Sequence, residues 1–111
     1  MRVFLVGPPG VGKSTVGRHL ASALGAAFYD LDEVIEARAG ANIPWIFDVE
    51  GELGFRDRET QVVRDLASED NIVVATGGGV VLRPENRAIL SKDSTVVYLT
   101  ASLSALVDRT S

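Results

Sequence analysis

Apolar and polar positions along this chain follow two alternating patterns. Short continuous apolar runs predict buried parallel strands at about residues 2–6, 28–29, 72–75 and 95–99. Apolar residues at helical spacing predict six helices. The first ends at Gly25, the second runs from Asp32 to Gly40, and the third runs from Asn42 to Gly51. The last three lie at about 52–67, at about 84–90 and after Ser102. Strands that alternate with helices predict an α/β fold with a parallel sheet and helices on both of its faces.

The segment between the first strand and the first helix is typical of a phosphate-binding P-loop. Residues 7–15 read GPPGVGKST and contain the spacing G-x-x-x-x-G-K-[ST]. In such a loop the backbone N–H groups point inward, Lys13 adds a positive charge, and the Ser14 hydroxyl can join a Mg²⁺ shell. A glycine-rich turn with a purely structural role is the alternative, but the flanking strand and helix favour a nucleoside triphosphate site.

Two further polar segments follow predicted strands. Asp30 and Asp32 come after the second strand, and the glycines 77–79 come after the third. Since ligands of parallel sheets bind beyond the carboxyl ends of the strands, we expect these segments to meet the P-loop at one rim. We expect Asp30 and Asp32 to point to opposite sides of an extended strand, so that one carboxylate would serve Mg²⁺ and the other an acceptor hydroxyl. The alternative is that Asp32 only caps its helix and Asp30 is a solvated loop acid.

Composition narrows the range of partners. The 111 residues are 46% hydrophobic and 23% charged, which suits one compact domain. A net charge of −4 offers no basic field to nucleic acid, the absence of cysteine excludes disulfides and thiolate metal sites, and the apolar runs are too short for a membrane span. We expect a cytoplasmic monomer with small-molecule partners and neither a nucleic-acid nor a membrane partner.

A fourth segment, residues 51–59, reads GELGFRDRE. Together with the P-loop, the D-x-D pair and the glycine turn, it makes the whole chain resemble the shikimate kinase family. The resemblance implies a three-layer α/β/α fold like that of nucleoside monophosphate kinases, with one P-loop kinase domain over 1–111 and a substrate-binding subdomain at about 32–60. It also implies the use of Mg²⁺ and ATP to phosphorylate the 3-hydroxyl of shikimate, a step of aromatic amino-acid biosynthesis.

The resemblance assigns roles on the nucleotide side. Lys13 would bridge the β- and γ-phosphates, Ser14 would ligate Mg²⁺, and Asp30 would act on that metal mainly through water. Thr76 follows the third strand where many P-loop proteins carry an aspartate, and in this family Asp30 takes over much of that role. The rest of the phosphate cradle would be Gly10, Val11, Gly12 and Thr15.

The resemblance also assigns roles on the acceptor side. Asp32 would contact the hydroxyl that takes the phosphate, and Arg56 would pair with the shikimate carboxylate, so that Lys13, Asp32 and Arg56 are the expected catalytic residues. A planar guanidinium suits two-pronged contact with a carboxylate, and Glu59 would orient it from the same helix face. The remaining substrate-binding residues would be Gly77, Gly78 through its N–H, Gly79, Phe47 and Phe55.

Some of these assignments have alternatives. Packing in the core explains the spacing of both phenylalanines as well as a substrate wall does, and Trp45 and His19 are given no role. A gluconate-kinase-like enzyme and a catalytically silent nucleotide-binding module are the alternative functions.

The resemblance further implies elements that these 111 residues do not contain. Family members continue into a lid with an arginine for the transferring phosphate, a second substrate-binding arginine, a fifth strand and a final helix, and residues 109–110 resemble the segment just before that lid. Because a closed lid excludes water and adds charge, we expect the 111-residue chain to bind nucleotide but to turn over poorly.

Overall fold

The protein is described by a computed structural model that covers residues 1–92 and 94–100. Four strands within these ranges form one parallel sheet in the order β2-β3-β1-β4: β1 Arg2–Val6, β2 Ala27–Asp30, β3 Ile72–Ala75 and β4 Thr95–Tyr98. The helices are α1 Lys13–Leu24, α2 Leu31–Ala39, α3 Ile43–Leu66 and α4 Pro84–Ser91, with a 3-10 turn at Val80–Leu82. All four predicted strands are confirmed to within one residue, whereas the helix predicted after Ser102 lies outside the described residues.

The sheet is covered by helices on both faces, which confirms the expected three layers. Side chains of β1 alternate between the faces: Val3 and Leu5 pack with Ala21 of α1, whereas Phe4 and Val6 join a larger core with α2, α3 and α4. Both faces of this central strand are therefore buried, which explains its continuous apolar sequence. None of the helices in the described part of the chain is long and apolar enough to cross a membrane.

Strand register brings the ends of three strands to the same level. Leu5 of β1 lies opposite Ala75 of β3, and Ala75 lies opposite Asp30 of β2. The segments that follow these three strands therefore start side by side at the carboxyl rim.

The cap of helix α2 lies two residues earlier than the sequence predicted. Asp30, the last residue of β2, caps it by accepting hydrogen bonds from the N–H groups of Asp32 (3.0 Å) and Glu33 (3.3 Å). The prediction of Asp32 as the cap was wrong, since Asp32 already lies in the first helical turn. The expectation that Asp30 and Asp32 project to opposite sides of an extended strand was also wrong. Residues two apart in a strand share a side, and here the strand ends at Asp30 and the helix follows at once.

Helix α3 is bent at Gly51, where two separate helices were predicted to meet. Gly51 has φ 74° and ψ 179°, and the chain is helical on both sides of it. Across the bend, Arg58 donates two hydrogen bonds to the carboxylate of Glu50, at 2.7 and 2.8 Å. Gly54 permits this packing, because a Cβ there would lie 2.5 Å from the Cβ of Glu50. The segment before the bend thus lies back against the segment after it.

Candidate active site

A cavity of ≈ 380 Å³ opens at the carboxyl ends of β1, β2 and β3. Its walls come from the P-loop after β1, the start of α2 after β2, and the glycine turn after β3. The lining residues are Pro9, Gly10, Gly12, Lys13, Ser14, Thr15, Asp30, Asp32, Thr76, Gly77 and Gly78. The predicted convergence of three segments on one rim is confirmed, while the roles of the individual residues stay predictions.

The P-loop has the backbone geometry of an anion site. Gly10 and Gly12 adopt φ values of 79° and 95°, which L side chains rarely adopt. Because Gly12 precedes α1 and carries no side chain, it cannot cap the N–H groups of the first helical turn. Those groups and the positive end of the helix dipole suit a phosphate.

Lys13 lies folded over the P-loop. Its Nζ donates to the carbonyl oxygens of Gly7 (2.7 Å) and Pro8 (2.9 Å). Burial lowers the pKa of Lys13, and the carboxylates of Asp32 and Asp30 partly offset that effect. A partly desolvated ammonium group gains from an additional anionic partner, which a nucleotide phosphate supplies.

Ser14 and Asp30 form a pair of oxygen donors beside the P-loop. The Ser14 hydroxyl donates to Oδ2 of Asp30 at 2.7 Å, while Oδ1 of Asp30 caps α2. Mg²⁺ prefers hard oxygen ligands and usually keeps several waters or phosphate oxygens, so this donor set fits it. No group of three or more His, Cys, Asp or Glu side chains within residues 1–92 and 94–100 is arranged to hold a metal ion by itself. A metal here would need ligands from a bound phosphate or from water.

Asp32 is the cavity carboxylate best suited to accept a proton. Burial raises its pKa above the ordinary value, and the negative charges of Asp30 and Glu36 raise it further. The positive charges of Lys13 and Arg56 act in the opposite direction and are outweighed. A carboxylate with a raised pKa holds a proton more readily than one with the ordinary pKa, which suits a general base.

Arg56 is held by a buried carboxylate next to the cavity. Its Nη1 donates to the two carboxylate oxygens of Glu59 at 3.2 and 3.4 Å, and Glu59 is 1% exposed. Burial raises the pKa of Glu59, and the hydrogen bond and positive charge of Arg56 oppose that rise. The Nε of Arg56 is buried without a hydrogen-bond acceptor among the described residues, and Oε1 of Glu52 lies 3.7 Å away. Arg56 is thus positioned by one carboxylate and retains an unused donor.

Gly79 connects the glycine turn to Arg56. A Cβ on Gly79 would lie 2.6 Å from Nη2 and 2.7 Å from Cζ of Arg56, and still closer to Nη1. The φ of Gly79 is −97°, which any residue adopts. Glycine is therefore favoured here because the guanidinium lies against the backbone, and not because of the backbone angle.

The other two glycines of the turn approach other site residues. A Cβ on Gly77 would lie 3.2 Å from Oδ1 of Asp32, and one on Gly78 would lie 3.1 Å from Cδ of Pro9 in the P-loop. The turn thus passes between the phosphate loop and the acidic start of α2, with little space for side chains.

The two predicted wall residues have different environments. Phe55 is 5% exposed and belongs to the larger core, whereas Phe47 is 38% exposed and stacks on Phe55 with ring centroids 4.8 Å apart. The Arg56 guanidinium lies 5.2 Å from the Phe55 ring centroid. Core packing accounts for Phe55, and a substrate wall stays a prediction for both rings.

The predicted site residues fall into two neighbouring groups. Nine line the cavity, and a second group lies outside its lining: Val11, Gly79, Arg56, Glu59, Phe47 and Phe55. Gly77 joins the groups, since a Cβ there would meet Glu59 at 3.6 Å as well as Asp32.

Two cavity residues, Thr76 and Pro9, carried no predicted role. Thr76 is 4% exposed and donates from Oγ1 to the carbonyl of Leu5 at 2.7 Å, which fastens the end of β3 to β1. The sequence could have indicated Thr76 as a cavity residue, because it stands between an apolar strand and three glycines. Pro9 occupies a variable position of the P-loop pattern, so the sequence gave no indication for it.

Comparison with known proteins finds matches in one family. A family model described as "Shikimate kinase" matches residues 9–111. A shikimate kinase of Legionella pneumophila (strain Corby) is 59% identical over 108 residues, which are 97% of this chain and 62% of that protein. The structure of shikimate kinase from Acinetobacter baumannii in complex with shikimate is 50% identical with a TM-score of 0.89, over 98% of this chain and 61% of the other. Shikimate kinase from Aquifex aeolicus gives a TM-score of 0.85 at 41% identity, over 88% and 58%. The chain spans less than two thirds of the length of these relatives.

Proposed function

The chain belongs to the shikimate kinase family, and from that membership we propose that the complete protein transfers the γ-phosphate of ATP to the 3-hydroxyl of shikimate. A bond forms between the hydroxyl oxygen and the γ-phosphorus, and the bond from that phosphorus to the β–γ bridging oxygen breaks. The hydroxyl proton passes to a base, and the products are ADP and shikimate 3-phosphate. The alternative of a gluconate-like acceptor lacks a specific observation in its favour.

The observation that carries the proposal is the place of Asp32 in the cavity, which Lys13 also lines. Gly77 connects Asp32 to the Arg56–Glu59 pair, because a Cβ there would lie 3.2 Å from Oδ1 of Asp32 and 3.6 Å from Oε2 of Glu59. The positive charges of Lys13 and Arg56 both act on the pKa of Asp32. An acceptor whose carboxylate pairs with Arg56 would bring a hydroxyl to Asp32, beside the phosphate held at Lys13. Because burial raises the pKa of Asp32, this group is suited to orient the hydroxyl and to take its proton as the phosphorus–oxygen bond forms.

On the nucleotide side, Lys13 would contact the β- and γ-phosphates, and the backbone around Gly10, Val11, Gly12 and Thr15 would cradle them. Phosphoryl transfer depends mainly on positioning and on neutralising negative charge, which this arrangement supports. We propose that Ser14 and Asp30 hold Mg²⁺, which when bound offsets charge on the phosphate oxygens.

On the acceptor side, Arg56 would bind the carboxylate of shikimate with two donors, and Glu59 would fix the guanidinium plane. The N–H of Gly78 would contact the substrate, and Gly77 and Gly79 would leave room for it. Phe47 and Phe55 would form an apolar wall beside Arg56.

The wider setting is proposed in the same way. We infer one P-loop kinase domain whose residues from about 32 to 60 form the part that binds the acceptor. We expect the protein to be a cytoplasmic monomer that serves aromatic amino-acid biosynthesis.

A coupled assay of ADP formation by the complete protein tests the function. We expect ADP release that depends on shikimate and is absent with gluconate or without an acceptor. Release with gluconate but not with shikimate would point to another small-molecule kinase. ADP formation that is unchanged by any acceptor would identify a nucleotide-binding module instead.

A further inference from the structure

We propose that Arg83 is a positioning residue that fixes the glycine turn in register with α3, and so holds Gly79 against the guanidinium of Arg56. This inference rests on the proposed function, since the consequence we draw is for binding of a carboxylate acceptor by Arg56. Arg83 stands four residues after Gly79, just beyond the 3-10 turn Val80–Leu82.

The first observation is the contact of Arg83 with α3. Its Nη1 donates to Oδ1 of Asp57 at 2.9 Å and to Oγ1 of Thr60 at 3.4 Å. Asp57 follows Arg56 in the chain, and Thr60 follows Glu59. Arg83 therefore holds the residues next to both members of the Arg56–Glu59 pair, and its positive charge partly opposes the rise in the pKa of Glu59.

The second observation is that the turn meets α3 at two places. Gly79 lies against the Arg56 guanidinium, and Arg83 binds α3 at Asp57 and Thr60. Between them Val80 is buried in the core at 1% exposure. Apolar packing is non-directional, so Val80 fixes the depth of the turn, whereas the directed hydrogen bonds of Arg83 fix its position along the helix.

The third observation is that the rest of the turn is attached elsewhere. Asn86 donates from Nδ2 to the carbonyl of Val80 at 2.9 Å, and Arg87 donates to the carbonyl of Val81 at 2.6 Å. Both donors belong to α4, so these bonds tie the turn to α4. Among the side-chain hydrogen bonds from residues 80–87, those of Arg83 are the ones that reach α3.

The test compares Arg83→Met and Arg83→Lys with the wild-type complete protein in steady-state kinetics. We expect Arg83→Met to raise KM for shikimate by about three- to tenfold, with kcat and KM for ATP within about twofold. The effect is smaller than the loss of a direct charge-assisted contact, because Arg83 acts on the acceptor only through Arg56 and its partner Asp57 is exposed. Lysine keeps the charge but cannot make both contacts, so Arg83→Lys should restore part of the loss. If Arg83→Met instead lowers kcat by about three- to tenfold and leaves KM for shikimate unchanged, the proposal is overturned.

A matched control is Arg38→Met. Arg38 lies on α2 and donates to Asp65 of α3 at 2.6 Å, so the variant removes a similar Arg–Asp contact from the same helix, away from the turn. We expect its KM for shikimate to equal that of the wild type. A rise as large as that of Arg83→Met would show that loosening α3 in general, rather than the turn, explains the effect, and would overturn the proposal.

A second readout separates this inference from the proposed function. The N–H groups of Val80 and Leu82 bond to the carbonyls of Gly77 (3.3 Å) and Gly79 (3.1 Å) within the turn. Their amide hydrogen exchange should become about three- to tenfold faster in Arg83→Met and stay unchanged in Arg38→Met. If the wild-type protein does not phosphorylate shikimate, the proposed function fails, and unchanged exchange in Arg83→Met would independently refute the positioning role.

Discussion

The contact between Gly79 and Arg56 makes a specific prediction for Gly79→Ala. At a φ of −97° alanine causes no backbone strain, so the substitution acts through its methyl group alone. That methyl would lie 2.6 Å from Nη2 of Arg56, whereas non-bonded heavy atoms are most stable at about 3.5 Å or more. The guanidinium must therefore retreat by about 1 Å.

A shift of that size removes Arg56 from its present contacts. The bonds from Nη1 to Glu59 are already 3.2 and 3.4 Å long, so a shift of about 1 Å away from Glu59 would take them beyond hydrogen-bond distance. A charge-assisted contact to an acceptor carboxylate contributes about 1.5–3 kcal/mol, and its loss corresponds to an increase of about 10- to 150-fold in KM for shikimate. Because the group displaced is the flexible end of a long side chain, the free energy of unfolding should fall by about 1 kcal/mol or less.

Kinetics and thermal unfolding of the complete protein check this prediction, with Gly77→Ala as the comparison. The methyl group of Gly77→Ala would meet Oδ1 of Asp32 at 3.2 Å, so a few tenths of an ångström suffice and the expected rise in KM is about threefold or less. In an Arg56→Met background, Gly79→Ala should change KM for shikimate by less than about twofold, because the effects of substitutions at two residues in contact are not additive. A folded Gly79→Ala protein that keeps the wild-type KM for shikimate would refute the reasoning.

The remaining predictions concern three residues of the site. Asp32→Asn should abolish phosphoryl transfer while the Kd for ATP, measured by calorimetry, stays within about twofold, and a parallel loss of ATP binding would place Asp32 on the nucleotide side instead. Since burial raises the pKa of Asp32, its ionised form is disfavoured in the folded state. Asp32→Asn should therefore have a higher free energy of unfolding than the wild type at pH 7, and the difference should disappear below the ordinary Asp pKa of 3.8, where the carboxyl group is neutral in both states. Arg56→Lys should weaken shikimate binding by about 1–3 kcal/mol in a direct titration, because a lysine cannot make a two-pronged contact, and an unchanged Kd would remove Arg56 from the acceptor site. Ser14→Ala should raise the Mg²⁺ concentration needed for half-maximal activity, and an unchanged Mg²⁺ dependence would contradict its assignment as a metal ligand.

Much of this fold could be predicted from local patterns. Buried parallel strands read as apolar runs, and Gly25, Gly40 and Asn42 were correctly expected at helix ends, where the glycines have φ values of 65° and 68° and Asn42 caps α3 through the N–H of Trp45. The junction at Asp30 could not be predicted in the same way. A strand that passes straight into a helix leaves no loop to mark the boundary, and either aspartate fits the cap position by sequence alone.

The site was predictable where a motif fixes the backbone and unpredictable where distant segments meet. The P-loop pattern fixes its own loop, so its cavity residues could be listed in advance. The contact of Pro9 with Gly78 and of Arg83 with α3 depends on how β3, the turn and α3 pack in three dimensions. No local spacing encodes such contacts, which is why sequence reasoning assigned neither residue a role.

The glycine turn lies between the P-loop and Arg56, which are the proposed nucleotide-binding and acceptor-binding parts of the site. Gly78 lies against Pro9 of the P-loop, and the next residue, Gly79, lies against Arg56. The Cα atoms of these adjacent glycines are about 3.8 Å apart, so neighbouring residues of the turn contact the phosphate loop and the arginine proposed to bind the acceptor carboxylate. An acceptor anchored at Arg56 by its carboxylate must then present its hydroxyl to Asp32 within a short, fixed reach. A rigid ring meets that condition without loss of conformational entropy, whereas a linear polyhydroxy acid such as gluconate must first be ordered, which costs affinity for each bond that is frozen. If Arg56 and Asp32 have the roles proposed for them, we therefore expect a cyclic acceptor such as shikimate to bind more tightly than a linear one.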